Sequence, residues 1–138
     1  MAIQGLGTTL TWTNAAGDTV AIGQLTAIGA ITCDREMIDI TTLTDTAGRR
    51  SAPGLIDCGE VTLTGLARLR DGGQTALLAA WRSGEEGTAI VRFANGDSAS
   101  FAALVRSVAL GGAETQSAVP FKAVLRVQGG IAFAEALD

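Results

Sequence analysis

EMIDITTLTDTAGRRSAPGLIDCGEVTLTG, residues 36–65, reads as strand, long polar excursion, strand. Met37-Ile38-Asp39-Ile40-Thr41 alternates and is β-branched, as a strand with one wet face requires. Glu60, Thr62 and Thr64 alternate with Val61 and Leu63, so this second run also has one polar and one apolar face. Between the runs, residues 44–54 have no apolar period and are made of turn chemistry: Thr44, Asp45, Gly48, Arg49, Arg50, Pro53 and Gly54. A hairpin closes with about 2–5 residues. A longer excursion in a compact domain has another use, and Arg49 and Arg50 at its tip are expected to meet acidic residues such as Asp45 or Asp57 on a neighbouring molecule. A solvated tip and a phosphate contact are the two lesser readings of the same pair.

Working outward, the rest of the chain is mostly β. Residues 8–13 alternate, residues 19–30 form one or two strands broken at Gly23 or Gly29, and residues 88–93 lead through Asn95-Gly96, a strong hairpin signal, into a long strand over 98–110. Asp97 serves that turn. A further long strand is expected over 117–128, with a short last one at 131–133. One helix is expected over 74–82, capped by Asp71 or a nearby glycine and stopped at Gly84. Leu77, Leu78 and Trp81 make its apolar stripe, and Trp81 is expected to seat it on the sheet. Trp12 suits a core or an interface equally. The expected fold is mainly β: one domain over residues 1–138, an antiparallel sandwich or barrel with one flanking helix and a long inter-strand loop.

Composition excludes several functions. The chain has no histidine, which removes the commonest general base and metal ligand, and two cysteines alone do not make a zinc site. No catalytic residue, metal site or cofactor is expected, and the reading is not that of an enzyme. Asp39 and Glu60 are expected to neighbour each other across the two central strands, as solvent-facing carboxylates rather than an acid–base pair. With net charge −4 and no basic run beyond Arg49-Arg50, the surface does not suit gripping nucleic acid. No apolar stretch is long enough for a membrane anchor, and the N-terminus lacks a secretory pattern. Cytoplasmic folding favours reduced thiols at Cys33 and Cys58, at the two feet of the excursion, with a bridge between them as the alternative. Mean hydropathy of +0.32 is high for a solitary subunit and points to surface covered by other copies.

The order of these motifs resembles the phage tail tube proteins, the major tail proteins of long, mostly non-contractile tails. The resemblance rests on Ile38-Asp39-Ile40-Thr41-Thr42-Leu43, Asp45, Arg49-Arg50, Pro53-Gly54-Leu55, Asp57, Gly59-Glu60 and Thr62-Leu63. The segment from Ile22 to Thr26, the helix after Gly-Gly-Gln and the closing FKAVLRVQGG strand extend it over most of residues 22–129. It implies a subunit of hexameric rings stacked into a tube in the virion tail, assembled in a bacterial cytoplasm, with DNA crossing the lumen without specific binding. It implies copies of the same chain as partners, with tape-measure, tail-terminator and distal tail proteins beyond them. The loop of Thr44, Asp45, Gly48, Arg49, Arg50, Pro53 and Gly54 becomes the ring-to-ring stacking element. Asp39, Thr41, Glu60, Thr62, Thr64, Lys122 and Arg126 become candidates for the lumen wall. The chain reaches Asp138 without the additional immunoglobulin-like domain of some members. Two alternatives remain: a tube of a secretion or contractile injection system, and a small β-barrel ligand-binding module.

Overall fold

The structure, a computed structural model, describes residues 6–44, 46–68, 70–112, 115 and 118–135. Asp45 and Leu69, both in segments considered above, lie outside the described residues. The alternating runs become β1 (Thr9–Thr13), β2 (Thr19–Ile22), β3 (Leu25–Ile28), β4 (Asp34–Asp39), β5 (Ser51–Asp57), β6 (Glu60–Leu66), β7 (Gly87–Arg92), β8 (Ser98–Leu110) and β9 (Pro120–Ala134); α1 spans Gly72–Ser83. Seven strands form one antiparallel sheet in the order β2-β1-β7-β8-β9-β6-β3, curled into a half-barrel. β4 and β5 form a separate two-stranded ribbon.

Period-two patterning decides which side of the sheet is dry. Leu10 and Trp12, Val61 and Leu63, Ala89 and Val91, and Phe121, Ala123 and Leu125 are fully buried in one core cluster. Many of these are small, so the strands need a close cover, and α1 supplies it. A Cβ on Gly73 would collide with the backbone of Ala21 and Ile22, so only glycine lets the helix lie this near β2. Asp71 caps the first turn by accepting from the Gln74 amide at 3.0 Å, and Gly84 ends the helix at φ 72°.

The helix seats differently from its sequence pattern. Gly73, Gln74, Leu77 and Ala80 are its buried residues, Leu78 is half-buried, and Trp81 stays 48% exposed. Small residues let the helix approach the strands, and the indole that fills the core comes from Trp12 on β1. Gln74 is fully buried and replaces missing backbone partners where the chain leaves the sheet. Its Oε1 accepts from the Arg68 amide at 2.8 Å, and its Nε2 donates to the Leu66 carbonyl at 2.8 Å.

The two runs expected at 117–128 and 131–133 are one strand, β9, which carries a register shift opposite Phe101/Ala102 where Gly129 and Gly130 fall. Trp12 belongs to the core. The Asn95 side chain receives the Asp97 amide at 3.0 Å, closing the expected β7–β8 turn.

Candidate assembly surfaces

The excursion is itself a hairpin. Met37 pairs with Pro53, Ile38 with Ala52 and Asp39 with Ser51, so Pro53 and Gly54 belong to β5 and not to the loop. Proline, which has no amide hydrogen to donate, is tolerated there because among the described residues no further strand pairs with β5. The turn that remains covers residues 40–50. It closes through the Ile40 amide on the Arg50 carbonyl (3.0 Å) and the Arg50 amide on Thr41 Oγ1 (2.7 Å). Thr41 in turn donates its amide to Asp39 Oδ1 at 2.9 Å. That bond, with a second from the Thr41 side chain, holds the Asp39 carboxyl below its ordinary value. Arg49 reaches Asp39 at 3.7 Å within its own hairpin, with both side chains open to water. Thr44 and Gly48 are exposed at the tip.

The ribbon carries apolar side chains that nothing covers. Met37 is 64% exposed, Leu55 81% and Leu43 fully so. Ile38 and Met37 are consecutive, so they point to opposite faces, and both are open. Exposed apolar side chains on both faces of a ribbon are a feature of interaction surfaces.

The polar face of β8, β9 and β6 is the second surface. Glu60 pairs with Arg126, Thr62 with Val124 and Thr64 with Lys122, so five of the seven lumen-wall candidates share this face. Asp39 and Thr41 do not. They sit on or beyond the β4–β5 ribbon, and Asp39 is therefore not the cross-strand neighbour of Glu60. The expectation failed because the two alternating runs, similar in pattern, went to different sheets. Arg106, which the sequence reading passed over, sits at a register shift in β8 and clasps Glu60 through Nη1, at 2.7 Å to Oε2 and 2.9 Å to Oε1. Arg126 turns toward Asp57 at the root of the hairpin, 3.2 Å away. The extra residue of a bulge re-aims a side chain, and only pairing in three dimensions reveals it.

The third surface is the pair of open edges. β3 pairs only with β6 among the described residues. β7 stops pairing with β8 at Ala103, so, among the described residues, 104–110 of β8 have β9 on one side and no strand on the other. Between β3, β7 and the end of β9 lies an open apolar groove of about 790 Å³, lined by Leu25, Ile28, Ile31, Phe93 and Phe133. Cys33 and Cys58, expected as thiols, are joined as a disulfide across the base of the ribbon. They stand one position beyond the last strand pair, Asp34 with Asp57, where ribbon pairing brings side chains together.

A curled antiparallel sheet with one flanking helix and a projecting two-stranded ribbon defines the architectural class. Solved structures narrow the class. The chain is similar to the SPP1 tail tube, with a TM-score of 0.74 and 17% identity over 99% of this chain and 81% of that one. It is similar to the tail of a gene transfer agent particle with C6 symmetry, with a TM-score of 0.74 and 17% identity over 97% and 100% of the two chains. It also matches a chain of the anti-feeding prophage baseplate, with a TM-score of 0.70 and 9% identity over 96% and 97%. No family model and no curated protein matches the sequence. At these identities the agreement is one of architecture: the chain has the tail-tube fold.

Proposed function

We propose that the protein is a structural, non-catalytic subunit of a virion tail tube, whose copies close into hexameric rings that stack around a lumen through which DNA passes. One observation carries the ring. In the run β8-β9-β6-β3 each neighbouring pair is antiparallel, so β8 and β3 point in opposite directions. Residues 104–110 of β8 in one copy can therefore receive β3 of the next and continue the antiparallel pattern. Repeated head to tail, this closes a barrel and removes both edges.

The lumen wall in this reading is the polar face of Glu60, Thr62, Thr64, Lys122 and Arg126, with Arg106. Its ion pairs are internal: Arg106 holds Glu60 and Arg126 holds Asp57. Threonine hydroxyls and self-paired charges suit a surface that lets a polyanion slide, because few free cations remain to neutralise phosphates. The ribbon, through its tip at Arg49 and Arg50 and its open apolar faces, reaches the adjacent ring. Tape-measure, tail-terminator and distal tail proteins would then meet the tube at its lumen and ends.

A tube of a contractile injection system is the second reading, and the likeness to the anti-feeding prophage chain favours it. It shares the assembly and differs in cargo. The ligand-binding module predicts a stable monomer that fills its apolar groove with a small molecule.

Negative-stain electron microscopy of the purified protein tests the proposal. Rings with six-fold views, or tubes built of them, are expected. A protein that stays monomeric at high concentration overturns it.

A further inference from the structure

The β4–β5 ribbon hangs from the body by very little. All residues of β4 are exposed, and a cleft of about 680 Å³ lies between the ribbon's root and β9, lined by Arg35, Ile56, Asp57, Arg126 and Gln128 among others. Among the described residues the noncovalent ties near the root include the water-exposed Arg126–Asp57 pair, the Gly59 amide on Asp57 Oδ1 at 2.9 Å and the Val127 amide on the Gly59 carbonyl at 3.0 Å. An exposed pair of this kind restrains weakly. A two-stranded ribbon is itself only marginally stable without further strands. The Cys33–Cys58 bond is the covalent clamp at this hinge, and its two sulfurs differ in access: Cys58 is 1% exposed, whereas Cys33 is at the surface.

We propose that Cys33–Cys58 is a redox-set pin. Oxidised, it fixes the register and exit direction of the ribbon; reduced, it frees the ribbon to fray and to swing across the cleft. The chemistry is thiol–disulfide exchange with a small-molecule disulfide such as oxidised glutathione. The exposed Cys33 thiolate, after losing its proton to water, attacks one sulfur of the reagent and expels a thiolate. The Cys58 thiolate, likewise deprotonated, then attacks the Cys33 sulfur of the mixed disulfide and expels the second. Two protein thiols are oxidised, one reagent disulfide is reduced to two thiols, and two protons leave with two electrons. A reducing compartment keeps the pin open and an oxidising one closes it. Resting on the tube reading, the consequence is that oxidation promotes stacking, because a pre-set ribbon loses less freedom when it docks.

The test compares the whole protein in reduced and in oxidised glutathione, with the Cys33→Ser/Cys58→Ser variant as the unpinned reference. Backbone amide exchange in β4 and β5 is expected to be at least about tenfold faster when reduced, with β8 and β9 unchanged. The variant is expected to match the reduced protein in both buffers. Tube growth, followed by light scattering, is expected to begin at a concentration several-fold lower in the oxidised protein than in the reduced one. Equal ribbon exchange in the two states overturns the proposal. So does a parallel rise in β8 and β9, which would make the bond a clamp on the whole fold. A responsive ribbon with equal tube growth overturns the link to assembly. A responsive ribbon with no tubes in either state supports the pin and removes the tube reading instead.

Discussion

Replacing Gln74 by methionine keeps the length of a fully buried side chain and deletes its amide. Two strong bonds vanish: the Arg68 amide to Oε1 and Nε2 to the Leu66 carbonyl, each 2.8 Å. A third, to the Gly23 carbonyl at 3.4 Å, is weak. The backbone groups of Arg68 and Leu66 then have no partner in a partly buried place. An orphaned buried group costs about 1–3 kcal/mol, and because both groups are only partly buried the expected loss lies in the lower part of that sum, about 2–4 kcal/mol. For a domain of this size that is a fall in Tm of roughly 10 °C. The assay is urea unfolding followed by tryptophan fluorescence, with both proteins at the same concentration so that assembly adds the same mass-action stability to each. Asp71 accepts from the Gly23 amide at 3.1 Å and the Gln74 amide at 3.0 Å, so Asp71→Ala acts on the same junction. The two changes are expected to be less than additive. A loss below about 1 kcal/mol for the methionine variant would show that water supplies the partners as well as Gln74 does, and would refute the reasoning.

The Arg49→Glu/Arg50→Glu protein is expected to fold with unchanged circular dichroism and to stop at rings; tubes of ordinary length would show that the tip makes no ring-to-ring contact. Asp39 titrates below its ordinary value of 3.8 because the folded turn donates to its carboxylate, so the Thr41 tether is present above that value and lost as pH falls through the lowered one. The Thr41 amide proton should shift across that acid window in a nuclear magnetic resonance titration, and a flat response would remove the bond from the account. Gly84→Ala places a side chain at φ 72° and is expected to cost about 1 kcal/mol of unfolding free energy, read by urea denaturation; an unchanged midpoint would contradict the cap. Glu60→Gln weakens a pair open to water, so unfolding should change by less than about 1 kcal/mol, and a larger loss would mean the pair is drier than its exposure indicates.

Much of the fold was legible because local rules act on neighbours in sequence. Alternation in 60–64 and within 117–128 marked strands and told their wet from their dry side, since a pleated strand must turn successive residues apart. Asn95-Gly96 placed a turn, and Asp71 and Gly84 bounded a helix, because caps and tight turns depend on residues a few positions away. The helix's seat was not legible. Leu77, Leu78 and Trp81 fit one stripe, yet Gly73 and Gln74 are buried while Trp81 is half in water, since the strands beneath left room only for small side chains and needed an amide.

The lumen-wall candidates divide in the same way. Glu60, Thr62, Thr64, Lys122 and Arg126 could be read as the polar sides of two strands, but their meeting on one face came from the pairing of β6 with β9. Arg106 has no local signature, because a bulge is a property of two strands and not of one. By itself the sequence determined where most strands and turns and the one helix lie, β5 excepted, because those choices are settled within a few residues. Only the tertiary structure decided that 34–57 leaves the main sheet as its own ribbon, that Cys33 meets Cys58, and that β8 and β3 end as opposed open edges. Those are contacts between distant segments, and period-two patterning is the same whichever strand becomes the partner.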